Sequence, residues 1–305
     1  MAHFDVTAII ANLSTPNAIV RPYIDLRAIL ATLQDSVSNV GLFFNAILVY
    51  LIFFKTTKNL ADYKLILIQN CFVDTFFTLI NDFIGFQTEY KNGWFIMFIS
   101  GKAGGTSFPY TFIFMCLWVA SLLLCTTFIP VQFIYRYYMV VHDKILTKFQ
   151  YFCCCLLALF GALSYASSCI PVFWPSEEKY IATMPLLQSD AYYYNGIPTY
   201  YAAHISQWPL MLHFIYAMFL VQVSYGITIL SCIKVWKNLN NQTNDALVLS
   251  EQTKKMHRKM TKTIILQAIC PFFCVMLPTG VTVIVTFFQL NIPGLGIIIT
   301  LSWYW

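Results

Sequence analysis

The sequence predicts an all-α membrane protein: a bundle of seven transmembrane helices, the seventh of them short. Three observations carry this expectation. Of 305 residues, 59% are hydrophobic and only 10% charged, whereas a soluble domain usually carries about 25% charged residues. Apolar runs of about 20 residues recur along the chain, each long enough to cross about 30 Å of hydrocarbon as a helix. The basic residues gather in alternate connections between those runs, as spans with one cytosolic face require.

The elements follow in order. Residues 1–36 form an N-terminal segment expected to lie outside the cell, and 37–305 the membrane domain. Its spans are expected at about 37–54, 65–86, 108–133, 149–173, 209–232, 263–288 and 292–305. The last has 14 residues, about 21 Å of helix at about 1.5 Å per residue, short of the hydrocarbon thickness. "MAHFDVTAII" lacks a basic leader with an apolar core and a small-residue cleavage site, so the first span is expected to target the protein itself.

Charge sets orientation. The connections after spans one, three and five hold thirteen Lys and Arg, and the opposite side holds five. Cytosolic loops carry the basic excess, so the N-terminus is expected outside. Asn12, in "NLS", then falls on the glycosylation-competent side, and Asn241, in "NQT", on the cytosolic side, unmodified. The net charge of +5 thus reports topology and membrane lipid, not a nucleic-acid partner. Trp94, Trp174, Trp208 and Trp236 sit near span ends, where the headgroup zone favours the indole. All ten cysteines lie within or at the ends of apolar runs, which suits packing rather than a disulfide framework. The five histidines are scattered without metal-ligand spacing, so neither an enzyme nor a cofactor is expected.

Polar residues inside the runs are the candidates for function. The third span ends "FIPVQFIYRYYMVVHDK", with Arg136 between Tyr135 and Tyr137. Pro130 is expected to break the helical ladder there, with Thr126 and Thr127 serving the freed carbonyls. Arg136 then emerges at the inner headgroup level, with two roles open. It is an anchor snorkelling to phosphate, or a switch that binds neighbouring helices in one state and a cytosolic partner in another. Asn45 lies mid-span in the first helix, and Asn70, Asp74, Asn81 and Asp82 recur at helical spacing in the second. Ionisable groups in hydrocarbon usually face the bundle. An Asn45–Asp74 hydrogen bond is expected if spans one and two are antiparallel neighbours; ion or proton sensing stays open beside it. Pro271 and Pro278 each favour a kink in the sixth span. "SEQTKKMHRKMTK" brings Lys254, Lys255, Arg258, Lys259 and Lys262 together, a cationic helix face for anionic lipid or an acidic partner. The connection from Trp174 to Trp208, with "AYYYNGIPTYY", covers a pocket or rests on the membrane surface.

"NVGLFFNAILVYLIFFKTTKNLADYKLILIQNCFVD", "QFIYRYYMV" and "LSEQTKKMHRKMTKTIILQAICPFF" together resemble the nematode serpentine chemoreceptors. Class delta (Srd) stands nearest, with the Str and Srj groups as relatives. The similarity runs from about Val37 to Thr286. It implies a seven-helix, G-protein-coupled-receptor-like chemosensory receptor in the plasma membrane of sensory cilia. Such a receptor detects a small chemical and signals to a heterotrimeric G protein. By the same resemblance Arg136 and Tyr137, with Lys254, Lys255, Arg258 and Lys259, would form the coupling face. Two features depart from the usual seven-helix pattern. Tyr135, not an acid, precedes Arg136, and segments 87–107 and 174–208 lack the cysteines that would tie the third helix to the second outer loop. Other classes stay open: a transporter or ligand-gated channel using Asp74 and Asp82, or a truncated, non-signalling receptor with its short seventh span.

Overall fold

Seven spans and a small sheet make up the computed structural model, which describes residues 26–55, 64–142, 144–193, 196–244, 266, 269, 272–290, 292 and 295–303. The spans are α1 (Leu26–Phe54), α2 (Lys64–Ile84), α3 (Tyr110–Val141) and α4 (Lys148–Ser167), the last continued by α5 (Cys169–Phe173). They go on with α7 (Trp208–Asn244), a π-helical turn (Phe272–Met276) leading into α8 (Leu277–Phe287), and α9 (Leu295–Ser302). Helix α6 (Glu177–Gln188) lies outside the bundle in the connection between α5 and α7.

Among the described residues, four helices are long and apolar enough to cross a membrane by themselves: 29–54, 110–141, 148–173 and 208–238. Helix α2 is diluted by Asn70, Asp74, Asn81 and Asp82 and needs its neighbours. Helix α3 is the axle. Two-thirds of its most apolar stretch is buried, against about a tenth of that of α1, and it packs on α2, α4 and α7. Helix α4 starts at a capping box: the Gln150 N–H donates to Thr147 Oγ1 at 3.2 Å, and the Thr147 N–H to Gln150 Oε1 at 3.1 Å. These bonds serve orphan donors of the first turn.

One feature was not expected from the sequence. Strands β1 (Phe86–Lys91), β2 (Trp94–Ile99) and β3 (Thr199–His204) form an antiparallel sheet in the order β1-β2-β3 across one end of the bundle. The β1–β2 turn is Asn92-Gly93, with φ of 48° and 77°, the pair of left-handed residues that lets a two-residue hairpin follow the strand twist. Alternation divides the sheet cleanly. Phe86, Tyr90, Phe95, Met97, Tyr201 and Ala203 face the bundle core. Ile96, Phe98, Tyr200 and Ala202 face a second layer made by Tyr180, Met184 and Leu187 of α6 with Tyr193. The tyrosine-rich connection is therefore a roof with two faces buried, not a segment resting on the membrane surface.

Several expected local features differ. Helix α1 already runs at Leu26, so the span begins well before Val37. Helix α2 ends at Ile84, and Phe86 opens a strand. Trp94 stands in β2 against His204 rather than at a span end. Helix α3 passes through Pro130 unbroken. Thr127 bonds the Leu124 and Ala158 carbonyls, while Thr126 Oγ1 has no hydrogen-bond partner among the described residues. In place of a disulfide, the Thr111 hydroxyl of α3 and the Tyr201 hydroxyl of β3 hydrogen-bond at 2.6 Å. Asn12, Pro271 and the basic residues Lys254, Lys255, Arg258, Lys259 and Lys262 lie outside the described residues.

Candidate functional site

The sheet roofs a cavity. Phe86, Phe95 and Met97 close it from above; Trp118, Val119, Leu122, Leu123 and Thr126 of α3 form one wall. Tyr165 of α4, His213, Phe214, Ala217 and Val221 of α7, Thr279 and Thr282 of α8, and Trp303 complete it. The cavity proper is small, ≈ 60 Å³, well below the few hundred Å³ of an open small-molecule site, so a ligand enters only if side chains part.

Aromatic packing fixes the upper part. The Phe86 and Trp118 rings stack at 3.4 Å and 11°, and Trp303 lies 5.7 Å from Trp118. Asn81, buried on α2, accepts the Trp118 Nε1–H at 2.6 Å. Of the intramembrane polar residues expected to matter, it is thus the one that braces the cavity. Trp303 Nε1 has no hydrogen-bond partner among the described residues. On the α4–α7 side His213 is 4% exposed. Its Nε2 pairs with the Tyr165 hydroxyl at 2.8 Å and its Nδ1 with the Ser168 hydroxyl at 2.7 Å. Hydroxyls serve either tautomer, so the imidazole is satisfied without a charge.

The roof is pinned to spans six and seven. The Tyr90 hydroxyl pairs with Thr282 Oγ1 at 3.0 Å. The Thr88 N–H donates to Thr300 Oγ1 at 3.0 Å, and the Thr88 and Thr300 hydroxyls lie 3.1 Å apart. A Cβ on Gly296 would strike the Thr88 carbonyl, so only glycine lets α9 approach β1 this closely. Outside the bundle, Lys91 Nζ meets Asp190 Oδ2 at 2.5 Å, and the Tyr193 hydroxyl donates to Glu89 Oε2 at 3.3 Å. Burial, the largest influence, pushes the Glu89 pKa above its ordinary value despite the nearby Lys91 ammonium. Burial would raise Asp190 too, but the Lys91 and Tyr192 hydrogen bonds outweigh it and hold that carboxyl below its usual range.

At the far end of α3, Arg136 is buried, 6% exposed, rather than emerging at a headgroup surface. It is enclosed by α3 and α7, its guanidinium 5.8 Å from the Phe133 ring and close enough to Cys232 to act on it. Tyr137 hydrogen-bonds His142 Nε2 at 3.2 Å and receives Lys234 Nζ over its ring at 5.2 Å. Asn238 Nδ2 donates to the Val140 carbonyl at 2.9 Å. Asn70 donates to Gln132 at 2.8 Å, and the Tyr151 hydroxyl to Gln69, which joins α2, α3 and α4.

The remaining candidates scatter. Asn45 is half-buried on α1 and Asp82 half-buried on α2; Asp74 is exposed beside Cys125. Among the described residues no hydrogen bond joins Asn45 to Asp74, and neither carboxylate lines the cavity. Pro278 is buried directly after the π-helical turn, the kind of interruption that absorbs a missing backbone donor. Sequence reading missed the cavity residues Trp303, His213 and Tyr165. His213 carried a usable signal as an ionisable residue inside an apolar run.

Comparison with known proteins agrees with this architecture. The model of the serpentine type 7TM GPCR chemoreceptor Str family matches residues 31–304. A curated relative, serpentine receptor class delta-3 of Caenorhabditis elegans, is 25% identical over 247 residues, covering 78% of this chain and 69% of its own. The crystal structure of squid rhodopsin superposes with a TM-score of 0.55 at 13% identity, over 95% of this chain and 84% of that one; this shows the fold alone. Matched over nearly its whole length, with seven spans around a roofed cavity, the chain belongs to the Str family of serpentine seven-transmembrane chemoreceptors.

Proposed function

We propose that the protein is a chemosensory receptor of the plasma membrane, and of sensory cilia if it follows its family. In this reading it binds a small chemical in the cavity under the sheet and signals to a heterotrimeric G protein through the Arg136 end. The sheet end and the N-terminus face outside, with Asn12 open to glycosylation. The basic stretch with Lys254, Lys255, Arg258 and Lys259 faces the cytosol and, with Arg136 and Tyr137, couples to the G protein.

The observation that supports this reading is that one helix, α3, reaches both the cavity and the opposite end of the bundle. Trp118 and Thr126 of α3 line the cavity and Arg136 of α3 is enclosed at the opposite end. About 27 Å of continuous helix separates Trp118 from Arg136 at about 1.5 Å per residue. A ligand changes the equilibrium between bundle arrangements only by its differential affinity for them. A cavity that must part to admit a ligand supplies that difference.

The test is G-protein activation in cells that express the receptor, challenged with a compound library. Arg136→Ala, and separately neutralisation of Lys254, Lys255, Arg258 and Lys259, should abolish an evoked response while surface expression persists. A ligand-evoked current that needs no G protein would establish the channel alternative.

A further inference from the structure

We infer that the cavity is built for an uncharged, elongated ligand with a hydrogen-bonding group at each end. This rests on the reading of the cavity as the ligand site and names the class of molecule it takes. Four observations lead there.

None of the lining residues is Asp, Glu, Lys or Arg, and the one titratable base, His213, has both ring nitrogens engaged by hydroxyls. An ionic ligand would enter without a counter-charge and lose its hydration uncompensated. Two lining side chains carry unserved polar atoms: Thr126, 1% exposed, and Trp303, 6% exposed, have no hydrogen-bond partner for Oγ1 and Nε1 among the described residues. Buried polar atoms in native structures are almost always paired, and here the neighbouring Trp118 indole shows the paired arrangement, held by Asn81.

The two atoms lie at different depths. Trp303 packs beside Trp118, and Thr126 lies eight residues further along α3, about 12 Å deeper at about 1.5 Å per residue. Between them the wall is Val119, Leu122 and Leu123, faced by Ala217 and Val221 of α7. The indole N–H donates and cannot accept, whereas the threonine hydroxyl does either. The matching ligand therefore carries an acceptor at the roof end, a hydrocarbon middle, and an acceptor or donor at the deep end, over about two helical turns.

The experiment measures direct binding, so that it does not depend on signalling. Receptor purified in detergent is titrated with straight-chain terminal diols of graded length, and its thermal midpoint is followed. Controls are the matching mono-alcohols, diamines and dicarboxylates. The expected result is stabilisation that peaks at one chain length, exceeds that of the mono-alcohols, and is absent for the charged series. Thr126→Val and Trp303→Phe should each weaken the optimal diol about ten-fold, the loss of one buried hydrogen bond. Each variant should bind the mono-alcohol about as tightly as its diol. Thr126→Ser, which keeps the hydroxyl, should retain the affinity and so guards against a folding artefact. Tightest binding of a charged member, a diol affinity unmoved by both substitutions, or no stabilisation by any diol overturns the inference. Stabilisation by diols in a receptor that never activates a G protein supports it and removes the signalling reading instead.

Discussion

The two ends of the bundle are built differently. At the sheet end, three strands are joined by backbone ladders and buried on both faces, and hydroxyl pairs sew them to α8 and α9. At the Arg136 end, α7 meets α3 through side chains: Asn238 on the Val140 carbonyl, Lys234 over Tyr137, and the Phe133 and Val235 contact. Each such contact contributes about 1 kcal/mol, so the α3–α7 seam there can open contact by contact, whereas the roof yields as a unit. Under the proposed function, the roof gives a fixed frame around the ligand and the seam a part that moves.

That contrast is open to attack by substitution, read as thermal unfolding of the purified protein. Trp118→Ala removes the indole on which Phe86 stacks and should cost about 3–5 kcal/mol; a loss under about 1 kcal/mol would mean that the roof does not rest on α3. Gly296→Val forces a side chain against the Thr88 carbonyl and should cost about 3 kcal/mol, with loss of cell-surface protein. A mild effect would place α9 away from β1.

Glu89→Gln probes the outer layer of the roof through pH. An acid whose folded pKa is raised destabilises the fold above that pKa and is relieved as pH falls toward the ordinary carboxylate range. The variant should therefore be more stable than wild type at neutral pH and lose the wild-type rise in stability on mild acidification. Asp190 runs the opposite way: held low by Lys91, its contribution is present at neutral pH and lost as pH falls through its lowered value. A wild-type midpoint that shows no rise on mild acidification and falls only below the ordinary carboxylate range would show Asp190 to dominate and the Glu89 cost to be small. The smallest expected effect is Asn238→Ala at the far end, about 1 kcal/mol of stability with raised basal signalling. Equal basal activity would mean that this bond does not hold α7 in place.

The spans were legible because hydrocarbon imposes a length and a composition on any helix that crosses it. Their ends were less so, since α1 extends past the apolar stretch through Leu30, Gln34 and Ser38, all buried against neighbours. The sheet was missed although "YKNGWFIMF" places Asn-Gly before an apolar run, a strong hairpin signal. Its strands are buried on both faces, so the polar-apolar alternation that marks an open sheet is blurred. Arg136 was read from its position as an interfacial residue; its burial depends on α7, which sequence spacing does not place. The cavity was illegible for the same reason. Trp303, Thr126 and His213 are ordinary in their own segments, and only the packing of α3, α4, α7 and α9 brings them together.

Hydrogen exchange of the ligand-free receptor, read by mass spectrometry, tests the asymmetry most directly. Backbone amides of β1, β2 and β3 should exchange orders of magnitude more slowly than those of 144–147 and of the α7 segment after Cys232, because the strands open only with the whole roof. Strands exchanging as fast as the Arg136 end would contradict the account, since the roof would then be no firmer than the α3–α7 seam.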